Sequence, residues 1–259
     1  MKSIKPEEME ALPGIPLKPT DTFRFRCHKD LACFNRCCRN LNLYLYPYDV
    51  LRLKSALDLD SDRFLETYVD VVLREGNYFP EVLLRMADNE SRTCPFLSED
   101  GCRVYGDRPD TCRTFPVEHG LLFTDSHGAT KTVSFFRPPE FCRGQDEDRE
   151  WTLAQWADDQ EAVTHNDMTV RWAGIKALFQ QNPWGTDGLD GPKAKMAFMA
   201  VYNLDRFRDF VFQSTFLRRY RVKKALVKKL RASDRELLLF GFDWVRFFVW
   251  GLPSAKIRA

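Results

Sequence analysis

No run of about 18 uncharged apolar residues occurs in the chain, which excludes an ordinary membrane span. The first 20 residues lack the apolar centre of a secretory signal, so a cytoplasmic location is expected. There is no internal repeat, long linker or low-complexity tail, and a 44% hydrophobic, 29% charged composition excludes a disordered chain. Cysteine is scarce. Eight in 259 residues is about 3%, far below the density of a small disulfide-stapled scaffold. Two patterns are also missing. No Cys-x2-Cys pair occurs, which counts against a zinc ribbon and a bacterial ferredoxin run. No Gly-rich loop follows a predicted strand, so nothing points to a nucleotide-like cofactor.

What cysteine there is lies in one place. All eight fall in the first 142 residues and the last 117 hold none. With the polar stretch 145–150 (QDEDRE) as a seam, this divides the chain into a cysteine-cluster domain over 1–149 and a helical domain over 150–259. Alternating polarity favours extended segments at 22–26 and 41–46. Helices are expected at 47–57, opened by Pro47, and at 61–73. Hairpins are expected around Ser98-Glu-Asp-Gly101 and around Asp125-Ser-His-Gly128. Past the seam, Thr152 and Gln155 form a capping box before a helix reaching Phe179. Apolar spacing then predicts helix over 193–212, and Ser233 or Asp234 caps a last helix to Trp250. The expected fold class is α+β and mostly helical: a loop-rich cysteine-cluster domain with short hairpins, packed against a C-terminal helical domain.

The cysteines form a first group, Cys27-x5-Cys33-x3-Cys37-Cys38, and a second, Cys94-x7-Cys102-x9-Cys112, with Cys142 after 29 further residues. Thiolates select zinc, copper(I) or iron–sulfur clusters, commonly four to a site. Eight thiols supply two such sites, or one site and spares. The side chains of adjacent Cys37 and Cys38 are expected to point apart and serve different centres, or one to ligate and the other to pack. Arginine placement is an independent signal. Of fourteen non-cysteine positions flanking these residues, six are Arg (Arg26, Arg36, Arg39, Arg103, Arg113, Arg143), where 39 Lys and Arg in 259 residues predict roughly two basic neighbours. Four thiolates around a zinc ion leave a charge of about −2, which guanidiniums would offset. A cluster fed from residues 27–38, 94–112 and 142 closes long loops, so its binding free energy would appear as folding free energy.

These motifs resemble those of the YkgJ-like cysteine-cluster family, a zinc- or iron-chelating domain with a CxxCxxCC signature. The match is carried by Cys27, Cys33, Cys37 and Cys38 and, more specifically, by CPFLSEDGCRVYGDRPDTCRTFP from Cys94 to Pro116. It covers roughly residues 23–142; the first group has five and three intervening residues where the signature has two. The resemblance implies zinc or iron as the cofactor, with all eight cysteines as metal residues. A related branch includes flagellin lysine N-methylase, which implies an alternative: an iron–sulfur-dependent modifying enzyme. A third reading is a metal-stapled interaction module that meets a protein partner through a basic helix.

Other features carry less. His28 and His119 stand near cysteines and are candidate substitute ligands, but the bland reading is a loop residue or a supporting hydrogen bond. Residues 206–231 hold ten Lys and Arg against Asp209 alone. A solvated face balanced by acids elsewhere is favoured there over nucleic acid, an acidic partner or a membrane surface. The segment 237–252 is apolar nearly all round and reads as a buried helix or a dimer seam, with membrane-surface contact as the runner-up and Asp243 and Arg246 spaced to pair.

Overall fold

The computed structural model describes residues 2–4, 6–123 and 130–258. The chain is a mostly helical α+β protein. It divides into two compact units, each discontinuous in sequence: Met1–Leu43 with Met86–Ala173, and Tyr44–Arg85 with Gly174–Ala259. This grouping differs from a single cut near 150. The strand Glu150–Thr152 pairs antiparallel with Thr22–Arg24, which ties the polar seam into the first unit.

In the first unit, Val117–Phe123 and Thr130–Phe136 form a hairpin registered from Phe136 opposite Val117 to Thr130 opposite Phe123. Lys2–Ile4 joins one side in parallel and Ile15–Leu17 the other antiparallel. The expected turn at Asp125–Gly128 lies outside the described residues. The core gathers Phe23, Phe25, Val117, Trp151 and Trp156, with Cys142 among them. Both indoles find acceptors, as buried Trp side chains require: Trp151 Nε1 donates to the Phe25 carbonyl at 2.7 Å and Trp156 Nε1 to that of Thr114 at 2.9 Å. The Thr152–Gln155 capping box opens the helix Leu153–Asp159 as expected. The helix does not run on to Phe179. Glu161 takes a left-handed φ of 51°, and a second helix starts at Val163 and ends at Leu178.

In the second unit, Pro47–Ala56 and Ser61–Tyr68 are helical, the latter capped by Asp60 accepting from the Arg63 N–H at 2.7 Å. The expected extension of the second helix to residue 73 is a strand instead. Three of four residues in Val69–Val72 are valine, which favours a pleated surface, and the segment pairs with Glu81–Leu84. The strand Tyr44–Leu45 completes this sheet. Asn203 splits the expected helix over 193–212 into Pro192–Tyr202 and Leu204–Gln213. Ser233 caps the helix Asp234–Trp250, whose Leu237, Leu238, Phe240, Trp244 and Val245 are buried, as expected for a core helix. Asp243 does not pair with Arg246; its carboxylate meets Lys256 at 2.6 Å. Among the described residues no helix is long and apolar enough to cross a membrane.

Candidate metal centre

All eight cysteines lie in the first unit and all are free thiols. The first group occupies a loop that ends in the tight turn Arg36–Cys38, entered through Asn35 at a left-handed φ of 62°. That turn carries Cys37 and Cys38 side by side, and the two thiols act on one another. Backbone bonds stitch the second group to the first: the Cys94 N–H donates to the Cys38 carbonyl at 2.8 Å and the Asn40 N–H to that of Arg92 at 2.9 Å. The Cys33 sulfur accepts from the Arg143 N–H at 3.1 Å, which brings in the segment carrying Cys142.

The second group is laid out by the hairpin predicted around Ser98–Gly101. Leu97–Ser98 pairs with Gly101–Cys102, and Gly101 at φ 117° supplies the backbone geometry that a side chain would strain. A short turn, Tyr105–Asp107, then leads to the helix Asp110–Thr114, which carries Cys112. Cys33 and Cys142 are buried, Cys27 and Cys112 exposed, and Cys37, Cys38, Cys94 and Cys102 half-buried.

The thiols feel one another. Cys27, exposed as a residue, is pushed up to about 11, chiefly because the surrounding protein strips water from its sulfur, and then by Cys37, Cys142 and Cys33. Burial also raises Cys94, Cys102 and Cys142, with neighbouring sulfurs adding to it. In the adjacent pair, the interaction between the two thiols brings Cys37 down to about 7 and drives Cys38 up, with burial, Cys112 and Cys94 adding to the rise. Backbone N–H groups work the other way. Those of Phe96, Val104 and Gly144 favour the thiolates of Cys94, Cys102 and Cys142.

The arginines divide. Arg103 favours the thiolates of Cys94 and Cys102, and Arg108, which the cysteine-neighbour pattern misses, adds to it at Cys102. Arg113 is buried, but it donates to the Gln160 carbonyl at 2.6 Å and faces Glu161 at 3.8 Å. Arg36 covers the Phe141 ring at 4.8 Å, and Arg143 pairs with Asp146 at 3.5 Å. The histidines are engaged elsewhere. His28 sits between Asp30 and Glu147 at 3.5 and 3.4 Å, and His119 Nδ1 is 2.9 Å from the Ser134 hydroxyl. His165 lies buried on the helix Val163–Leu178, and His127 is outside the described residues.

Among the described residues no three His, Cys, Asp or Glu side chains stand as a set that could hold a metal ion. The donor chemistry nevertheless fits a soft cation. The donors are all sulfur, they repel one another as thiolates, a backbone N–H donates to the Cys33 sulfur, and backbone amides favour the thiolates of Cys94, Cys102 and Cys142. Its sulfurs would have to close up around an ion.

Free thiols held on loops and single turns are the donors a soft-metal site uses. Residues 26–150, just under half of the chain, match the family described as "CxxCxxCC: Putative zinc- or iron-chelating domain". Neither the curated proteins nor the solved structures contain a match to the chain.

Proposed function

We propose that the chain binds zinc or iron through its eight cysteines in two neighbouring four-thiolate sites. Cys27, Cys33, Cys37 and Cys142 would hold one ion, and Cys38, Cys94, Cys102 and Cys112 the other. The observation that carries this division is the mutual field of the sulfurs. Cys27 is acted on by Cys37, Cys142 and Cys33, whereas Cys38 is acted on by Cys112 and Cys94, and Cys94 by Cys102; Cys37 also acts on Cys38, Cys94 and Cys102, so it stands between the two sets. The sets meet at the adjacent pair Cys37 and Cys38. A reducing compartment such as the cytoplasm would keep such thiols available.

When bound, a thiolate-held ion supplies folding free energy, on the order of 10–16 kcal/mol for a structural zinc site. The chain's own residues would do the rest. The Arg143 N–H holds the Cys33 sulfur at 3.1 Å, and Arg103 offsets charge at Cys94 and Cys102. The test is anaerobic purification of the full chain followed by metal and acid-labile sulfide analysis. Two equivalents of metal are expected, falling to one in Cys33→Ser and in Cys102→Ser. Zinc without sulfide would make the sites structural. Iron with sulfide would make them iron–sulfur centres and favour the modifying-enzyme reading. A folded chain free of metal would overturn the proposal.

A further inference from the structure

The basic stretch of the second unit is only partly balanced. Arg206 pairs with Asp62 at 2.6 Å and Arg208 with Asp234. Between Asp209 and Asp234 the chain has no acid, yet it carries Arg218, Arg219, Arg221, Lys223, Lys224, Lys228, Lys229 and Arg231. All eight are exposed, and among the described residues none has an acidic partner. The Arg221 N–H donates to the Arg258 carbonyl at 2.8 Å, which brings a further exposed cation alongside. The expectation of a face balanced by acids elsewhere therefore holds for Arg206 and Arg208 and stops there.

Much of this charge does nothing for the fold. Lys228, Lys229 and Arg231 suit the C-terminal end of the helix Lys224–Ala232, but Lys223 and Lys224 sit at its start, where the helix dipole disfavours cations. Lys224 and Lys228 are four apart on one face, a like-charge pair that also works against the helix. Lys224, Lys228 and Arg231 share that face over about 10 Å of helix.

We infer that this surface binds the phosphate backbone of duplex nucleic acid without reading its sequence. Charge complementarity to a regular polyanion is the first argument. The second is what the surface lacks. Phe207 and Phe216 are committed to the core, and Phe212 lies under the Arg231 guanidinium at 4.1 Å, so these rings offer no stacking platform for single-stranded bases. Among the described residues no exposed large apolar side chain lies between 206 and 258, so there is no wedge for a bilayer and no apolar anchor for a protein partner. What remains is a row of cations suited to phosphates.

The test is anisotropy of a labelled duplex of about 20 base pairs, of mixed sequence, titrated with the full chain at about 50 and about 200 mM salt. If about five phosphates are engaged, affinity should fall about 500-fold between the two salts. Neutralising Lys224, Lys228 and Lys229 together to Gln should flatten the log–log salt slope by about 2.7 and leave far-ultraviolet dichroism unchanged. Lys18→Gln with Lys131→Gln, outside the surface, should change nothing. No duplex binding at low salt overturns the inference. So does binding that the triple variant leaves intact, tighter binding to a single strand, or binding to phosphatidylserine vesicles in place of the duplex.

Discussion

The backbone N–H of Arg143 donates a hydrogen bond to the sulfur of Cys33 at 3.1 Å, joining two positions 110 residues apart. One end of this bond lies in the first cysteine group and the other beside Cys142, which is itself buried among Phe23, Phe25, Trp151 and Trp156. The same contact is therefore a core contact and a cluster contact, and the cysteines should respond differently to substitution.

Cys142→Ser and Cys112→Ser should separate packing from ligation. Cys142 is buried in an aromatic core, so a serine hydroxyl there should cost about 1–3 kcal/mol even in metal-free protein. Cys112 is exposed, and its replacement should cost no more than about 0.5 kcal/mol in that state. Both variants should lose metal. Denaturant melts with and without chelator measure this, and equal costs in the chelated state would refute it.

Gly144 is held by a close approach. A Cβ there would lie 2.7 Å from the Phe25 ring and 2.8 Å from the Arg26 carbonyl, and the Arg26 N–H donates to the Gly144 carbonyl at 2.9 Å. Gly144→Ala should push back the segment leading to Cys27, costing about 1–3 kcal/mol and lowering metal content. Gly106→Ala, with open space around its Cβ, is the comparison and should be near neutral.

Asp205 anchors the second unit. Burial works against its charge, but Lys54 at 2.9 Å and the Ser61 hydroxyl and N–H at 2.7 and 2.6 Å hold the carboxyl below the usual carboxylate range. Its contribution is therefore complete above the unfolded value, near 4, and is lost as pH falls below that. Asp205→Asn should cost about 1–3 kcal/mol at neutral pH, since Lys54 is buried while Asp205 is partly screened by water. The variant and parent should converge at low pH in urea titrations; a constant gap would show that the charge is not what matters.

His119 gives the opposite pH window. Burial holds its imidazole down to about 4 from an ordinary 6.5, so the unfolded chain takes the proton first. Stability from the neutral ring is complete above about 6.5 and is lost between about 6.5 and about 4, by up to about 1.4 kcal/mol per pH unit. His119→Gln should remove that part of the slope. Melts at about pH 7 and about pH 5 give the comparison, and an identical slope in the variant would place the ring in solvent.

Local signals determined much of this protein in advance. Asp60, Thr152 and Ser233 carry their own capping oxygens, Gly101 carries its own turn, and the cysteine spacing with CPFLSEDGC marks the segment that matches the chelating-domain family. Those features depend on neighbours within a few residues. Tertiary structure decided what such spacing leaves open. Val69–Val72 became a strand because Glu81–Leu84 was there to pair with it, and the helix after Thr152 broke at Glu161. Glu150–Thr152 bound the expected seam to Thr22–Arg24, and the turn after Asn35 set where Cys37 and Cys38 lie. Which sulfurs share a field depends on hydrogen bonds spanning tens to more than a hundred residues, and no local pattern encodes such closures.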